Sequence, residues 1–166
     1  MRPTRLRPLA ALCAAALALS GTAGAQVVIS QVYGGGGNSG APLRNDFIEL
    51  YNAGPTAISL ATYSVQYASS TGSTWNRTNL TGTLQPGQYY LVQQAAGTNT
   101  AAAVLPTPDA IGTIAMSGTA GKVALVSSQV TLTGTCPGAA DGVLDFVGFG
   151  GANCSETAPT AALSNT

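Results

Sequence analysis

The chain has 166 residues and is formally neutral, with six basic and six acidic side chains, three cysteines and no histidine. Lacking histidine, it holds no serine triad and no His-based zinc site. Lacking clustered Lys and Arg, it has no electrostatic footprint for nucleic acid.

The chain opens on a positive head, Arg2, Arg5 and Arg7, followed by the apolar run Leu9–Leu19. That run is shorter than the ~20 residues a membrane-crossing helix needs. Ala23-Gly24-Ala25 then fits the A-x-A cleavage pattern before Gln26. Residues 1–25 therefore read as a secretory signal peptide, with the extracellular space or periplasm as the destination. A lipoprotein signal ending at Cys13 fits worse, because bulky Leu12 precedes the cysteine and hardly any apolar core lies ahead of it. Residues 26–166 then carry Arg44, Arg77 and Lys122 against Asp46, Glu49, Asp109, Asp141, Asp145 and Glu156. This stretch has the size of one domain able to bury a core. It has no second long apolar run, so no integral membrane segment is expected after cleavage.

Val27–Tyr33 is rich in β-branched and aromatic residues and predicts a strand. Asp46–Asn52 predicts a second, with Ile48 and Leu50 on one face and Phe47, Glu49 and Tyr51 on the other. Between them, Gly34 to Gly40 is a glycine-filled loop that no helix or sheet interior would tolerate. Asn52-Ala53-Gly54-Pro55 is turn chemistry, and Ile58-Ser59-Leu60 is a short strand. Tyr63, Val65 and Tyr67 alternate along the next one. Residues 69–74 form a small-residue loop ending at Trp75. Pro86 and Gly87 suit the central positions of a type II turn, with Gln88–Gln94 following as a strand. The stretch Ala95–Ala110 reads as an irregular crossing in which residues 101–105 form a single helical turn. A short strand is expected at Ala110–Met116, a pair at Lys122–Ser127 and Val130–Thr133, and a last strand at Val143–Phe149. Many short strands with frequent turn signals predict an all-β sandwich.

Little in this inventory makes or breaks bonds. The glycine run lacks the lysine and following helix of a P-loop, although its backbone N–H groups offer an anion or glycan contact. Asp46 and Glu49 are three apart on a strand and so face opposite ways. Asp141 and Asp145 share a parity but stand ~13 Å apart at strand rise. Neither pair is poised as a carboxylate dyad, and no catalytic or metal-binding residue is assigned. A Ca²⁺ held by loop carbonyls and one aspartate is the sharper alternative. Glu49, between Phe47 and Tyr51, is expected to meet Arg44, Arg77 or a backbone donor.

Cys136 and Cys154 are the cysteines left after the leader, 18 residues apart. In an exported chain they are most simply a disulfide, worth ~3 kcal/mol by chain entropy. A two-thiolate metal site would need further soft ligands. Tyr89 and Tyr90 are adjacent, so one of them faces outward from a strand. Together with Trp75 on its loop, and Glu49, they form a candidate contact surface, against the plainer reading that they only cover the sheet. Asn76-Arg77-Thr78 and Asn79-Leu80-Thr81 match the glycosylation pattern, a coincidence in a chain with so bacterial-looking a leader.

Residues 29–33 with the glycine run, 46–52, 84–92 (LQPGQYYLV), 121–125 (GKVAL) and 145–150 (DFVGFG) together resemble the lamin-tail domain in its bacterial secreted form. They span nearly the whole of residues 26–166 in the family's order. The resemblance implies an immunoglobulin-like β-sandwich over that stretch, acting as a non-catalytic binding or targeting module. It also implies two alternatives: the leading accessory portion of an exported nuclease or phosphatase-like enzyme, and a structural cell-surface or matrix protein. Partners on this reading are an extracellular protein, a glycan or a nucleic acid. Relatives continue past the position of Thr166 with an arginine-bearing segment and a closing strand. That none of this follows here reads as a fragment or a truncated reading frame, in which case the sandwich lacks its closing strand and one sheet edge is unpaired.

Overall fold

The computed structural model describes residues 26–164, and the expected leader over residues 1–25 lies outside them. Ten strands are formed: β1 Val27–Tyr33, β2 Asn45–Asn52, β3 Ile58–Ser59, β4 Ser64–Ser69, β5 Asn76–Asn79, β6 Thr83–Leu84, β7 Tyr89–Ala96, β8 Ala110–Ile111, β9 Gly121–Val126 and β10 Val143–Phe149. They build two four-stranded sheets, β1-β2-β7-β8 and β10-β9-β4-β5, with β3 and β6 as a separate pair. The fold is the immunoglobulin-like sandwich that the strand pattern and the resemblance imply.

Period-2 alternation puts one side of each sheet inside. Ile48 and Leu50 of β2 and Val92 of β7 meet Val65 of β4 and Val123 and Leu125 of β9, all fully buried. Phe47 points to the other side of the first sheet and stacks on Tyr33, ring centroids 5.3 Å apart. The glycine loop closes tightly onto neighbouring backbone, and a Cβ at Gly36 would clash with the main chain of Asn45. The amides of Gly35 and Gly37 bond to Met116 and Leu43 carbonyls at 3.1 and 2.8 Å, and that of Gly36 to Asp46. The loop is thus structural, and these three amides are not presented to an anion or glycan. Pro86 and Gly87 make the expected turn, with Gly87 at φ +72° and the Gln88 amide donating to the Gln85 carbonyl at 3.1 Å.

Three local expectations are corrected. Residues 101–105 form no helical turn; Ala103 instead bridges Leu43 in parallel. Strand β8 stops at Ile111. Beyond it only interrupted backbone bonds to β7 remain, the Gly112 amide to the Gln93 carbonyl at 2.8 Å and the Ala95 amide to the Ile114 carbonyl at 3.0 Å, while side chains take the next amides. Gln94 Oε1 accepts the Ile114 amide at 3.1 Å, and Asp46 Oδ2 accepts the Met116 amide at 2.7 Å. Residues 130–133 do not pair with β9, which is flanked by β4 and β10 instead. Buried Gln66 acts as their surrogate partner, accepting the Leu132 amide at 2.9 Å and donating to the Val130 carbonyl at 2.8 Å.

The second sheet is therefore covered on its outer face as well. Trp75, Leu132 and Phe146 form a second apolar cluster with Ala68, Ala124 and Val126. All six residues of β9 are buried. Cys136 and Cys154 are joined in a disulfide, Cα–Cα 5.7 Å, which pins this covering layer. Beyond β10 the chain doubles back, and Thr160 pairs with Phe149 in a parallel bridge along the β10 edge.

Candidate contact face

The first sheet's outer face carries Tyr89, an exposed aromatic side chain. Strand register sets its membership: Tyr51 pairs with Tyr89, Glu49 with Leu91 and Gln93 with Ile111. Side chains at paired positions share a face. The Tyr51 and Tyr89 rings lie 4.8 Å apart, tilted by 36°. Tyr89 is 60% exposed and Ile111 70%, whereas Tyr51, Leu91 and Val28 are half-buried. At this edge the sheet is bulged at Ser30, between Ile29 and Gln31. The Ser30 hydroxyl donates to Glu49 Oε1 at 2.7 Å. Glu49 thus meets a serine, where an arginine or backbone donor was expected.

Of the residues singled out from the sequence, the fold brings Tyr89 and Glu49 to this face and removes the other two from it. Tyr90 faces inward, 6% exposed, its hydroxyl donating to the Thr81 carbonyl at 3.0 Å. Trp75 is 4% exposed and donates its indole N–H to the Gly134 carbonyl at 2.9 Å. Trp75 packs over the small apolar residues Ala68, Ala124 and Val126 on the outer face of β4 and β9, with Phe146 and Leu132 beside it. Tyr51, missed as a contact residue, was legible as the same-face neighbour of Glu49 two positions on.

The buried lysine was not anticipated. Lys122, wholly inaccessible on β9, donates to the Gly72 and Thr135 carbonyls at 2.8 and 2.7 Å and to Asn153 Oδ1 at 3.0 Å. Its ammonium also sits 5.6 Å from the Trp75 ring centroid. Burial lowers its pKa from the ordinary lysine value. Asp46 is buried too, and desolvation raises its pKa, opposed by the Met116, Gly36 and Gly35 amides that bond the carboxylate.

A cleft of about 400 Å³ lies beside the disulfide, lined by Pro137, Val143, Phe146 and both cysteines, with Asp145 and Glu156 on its wall. These two acids are the pair the fold brings together. Asp141, by contrast, turns to the Gly138 amide at 2.9 Å. Asp145 is committed to structure: Oδ2 accepts the Ile29 amide at 2.6 Å and Oδ1 that of Phe146 at 2.9 Å. A hydrogen bond with Asp145, then desolvation and the charge of Asp145, raise the pKa of Glu156. Among the described residues no group of three or more Cys, Asp or Glu side chains converges as a metal site, and no helix is long and apolar enough to cross a membrane.

Compared with known families, the chain matches the family model described as Lamin Tail Domain over residues 20–149. A comparison with curated proteins returns no match.

Proposed function

Since the chain belongs to the lamin tail domain family, we propose that it is an exported, non-catalytic contact module that binds through the outer face of its first sheet. The observation that carries this reading is the Tyr51–Tyr89 pair, 4.8 Å apart on an open sheet face beside Glu49. Aromatic side chains with an apolar body and a polar tip are favoured where a surface is buried on association. An unpartnered apolar stripe on a sheet face is a mark of interaction. The family is a non-catalytic, immunoglobulin-like one, and of the two acids that approach each other, Asp145 and Glu156, Asp145 already accepts two backbone amides.

The partner class that fits is an extracellular protein or a glycan. Nucleic acid fits less well, because no basic residue lies on the face-forming strands β1, β2, β7 and β8 and phosphate contact needs Lys and Arg. Secretion is supported by the leader pattern of residues 1–25 and by the cysteine pairing. The test is an unbiased glycan, extracellular-protein and DNA binding screen with the full chain, repeated with Tyr89→Ala and Glu49→Gln. Binding lost in both variants is the expected result. Binding that survives both, or hydrolytic turnover lost on Asp145→Asn, refutes the proposal.

A further inference from the structure

Two of the three oxygens that hold the Lys122 ammonium come from residues adjacent to the cysteines. Thr135 precedes Cys136 and Asn153 precedes Cys154, and they accept from Nζ at 2.7 and 3.0 Å. The disulfide thus ties together the two segments that close over the lysine. Cys154 Sγ itself lies 3.5 Å from the Thr135 carbonyl oxygen. The third oxygen, Gly72 O, sits in the β4–β5 loop, and Asn153 is anchored to that loop through its amide and the Ser70 carbonyl at 2.9 Å. No carboxylate is among the ligands, so the charge is held by neutral dipoles and the Trp75 face. Such a site keeps its cation only while every dipole stays in place.

We infer that the Cys136–Cys154 disulfide is the latch of the Lys122 cage, so that reducing it opens the cover of the second sheet and delivers Lys122 and Trp75 to solvent while the first sheet stays folded. Two electrons and two protons pass from an external dithiol, which closes to its own disulfide, to Cys136 and Cys154, which become thiols. The segments around residues 135 and 153 are then joined by non-covalent contacts alone. Moving either one removes an oxygen from Nζ, and water is the ready replacement. The first sheet is built from β1, β2, β7 and β8, none of which contacts Lys122 Nζ. The device couples oxidation of the chain to completion of its second apolar cluster. A chain kept reduced would present an open layer, and an oxidised one a closed layer.

The chain lends itself to a direct test, because Lys122 is its only lysine and the N-terminal amine serves as an internal reference. The full chain is labelled with an amine-acylating reagent before and after reduction by dithiothreitol, and labelling of Lys122 is read by peptide mass spectrometry. Hydrogen exchange across β2 is followed in parallel. Reduction is expected to speed Lys122 labelling ~10-fold or more relative to the N-terminus, as local opening does, with the β2 amides still protected. An unchanged Lys122 rate overturns the inference. So does simultaneous loss of protection in β2, which would make the disulfide a staple of the whole fold.

Discussion

Asp145 Oδ2 accepts the amide of Ile29 at 2.6 Å, so a carboxylate on the β10 edge of one sheet caps the β1 edge of the other. An open edge amide is a template for pairing with another chain, and here a side chain occupies it. Asp145→Ala leaves the Ile29 and Phe146 amides without this acceptor. The expected loss is about 1–3 kcal/mol, read from urea unfolding. Greater self-association in size-exclusion chromatography should accompany it.

Glu156 tests the same junction through pH. Its raised pKa means that its contribution is fully present below the ordinary 4.5 and is lost as pH rises through the folded value. Glu156→Gln mimics the protonated form at all pH. The variant should match the wild type in acid and hold the doubled-back segment more firmly at neutral pH. Exchange of the Gly150 and Thr160 amides, which bond to Thr160 and Gly148 carbonyls at 2.9 Å, reports it. Equal exchange in both proteins at pH 7 would show that the charge of Glu156 does not weaken this junction.

For Lys122 the sign runs the other way from a group that gains a charged partner. With its pKa lowered by burial, the charged form carries its full cost below the folded pKa, and that cost is relieved as pH climbs toward 10.5. Lys122→Met removes the titration. The stability of the wild type relative to this variant should therefore rise with pH across the alkaline window. A flat difference from pH 7 to 10.5 would show that the amine is not desolvated.

Trp75 and Tyr89 should separate stability from contact. Trp75→Ala opens a cavity in the second apolar cluster and is expected to cost about 3–5 kcal/mol. Tyr89→Ala, at a position 60% exposed, should stay within about 1 kcal/mol of wild type. Chemical denaturation of both variants is the check. A large loss from Tyr89→Ala would make that ring a structural cover of the sheet.

Local pattern was enough for a good deal of this protein. Alternation in residues 46–52 told which side of β2 is buried, Pro86-Gly87 specified a turn, and two cysteines specified a pairing. What the sequence could not settle is what lies over each face. Alternation shows that a strand has two sides, and Ser64-Val65-Gln66-Tyr67 reads as one apolar and one polar side. Yet Gln66 is buried, because residues 130–132, over sixty positions away, return to bond with it. Lys122 looks like a solvated charge until Thr135 and Asn153 are brought over it, and Trp75 looks like a loop aromatic until Phe146 arrives beneath it. Side-chain amides and an ammonium stand in for strand partners in this layer, and such pairing has no period to read. Composition and spacing determined most of the long strands, the Pro86-Gly87 turn and the class of fold, but not the short strands β5 and β6, and they placed at residues 130–133 a strand that does not form. The tertiary structure alone decided which polar groups are enclosed, because enclosure depends on segments distant in the chain satisfying the same donor or acceptor.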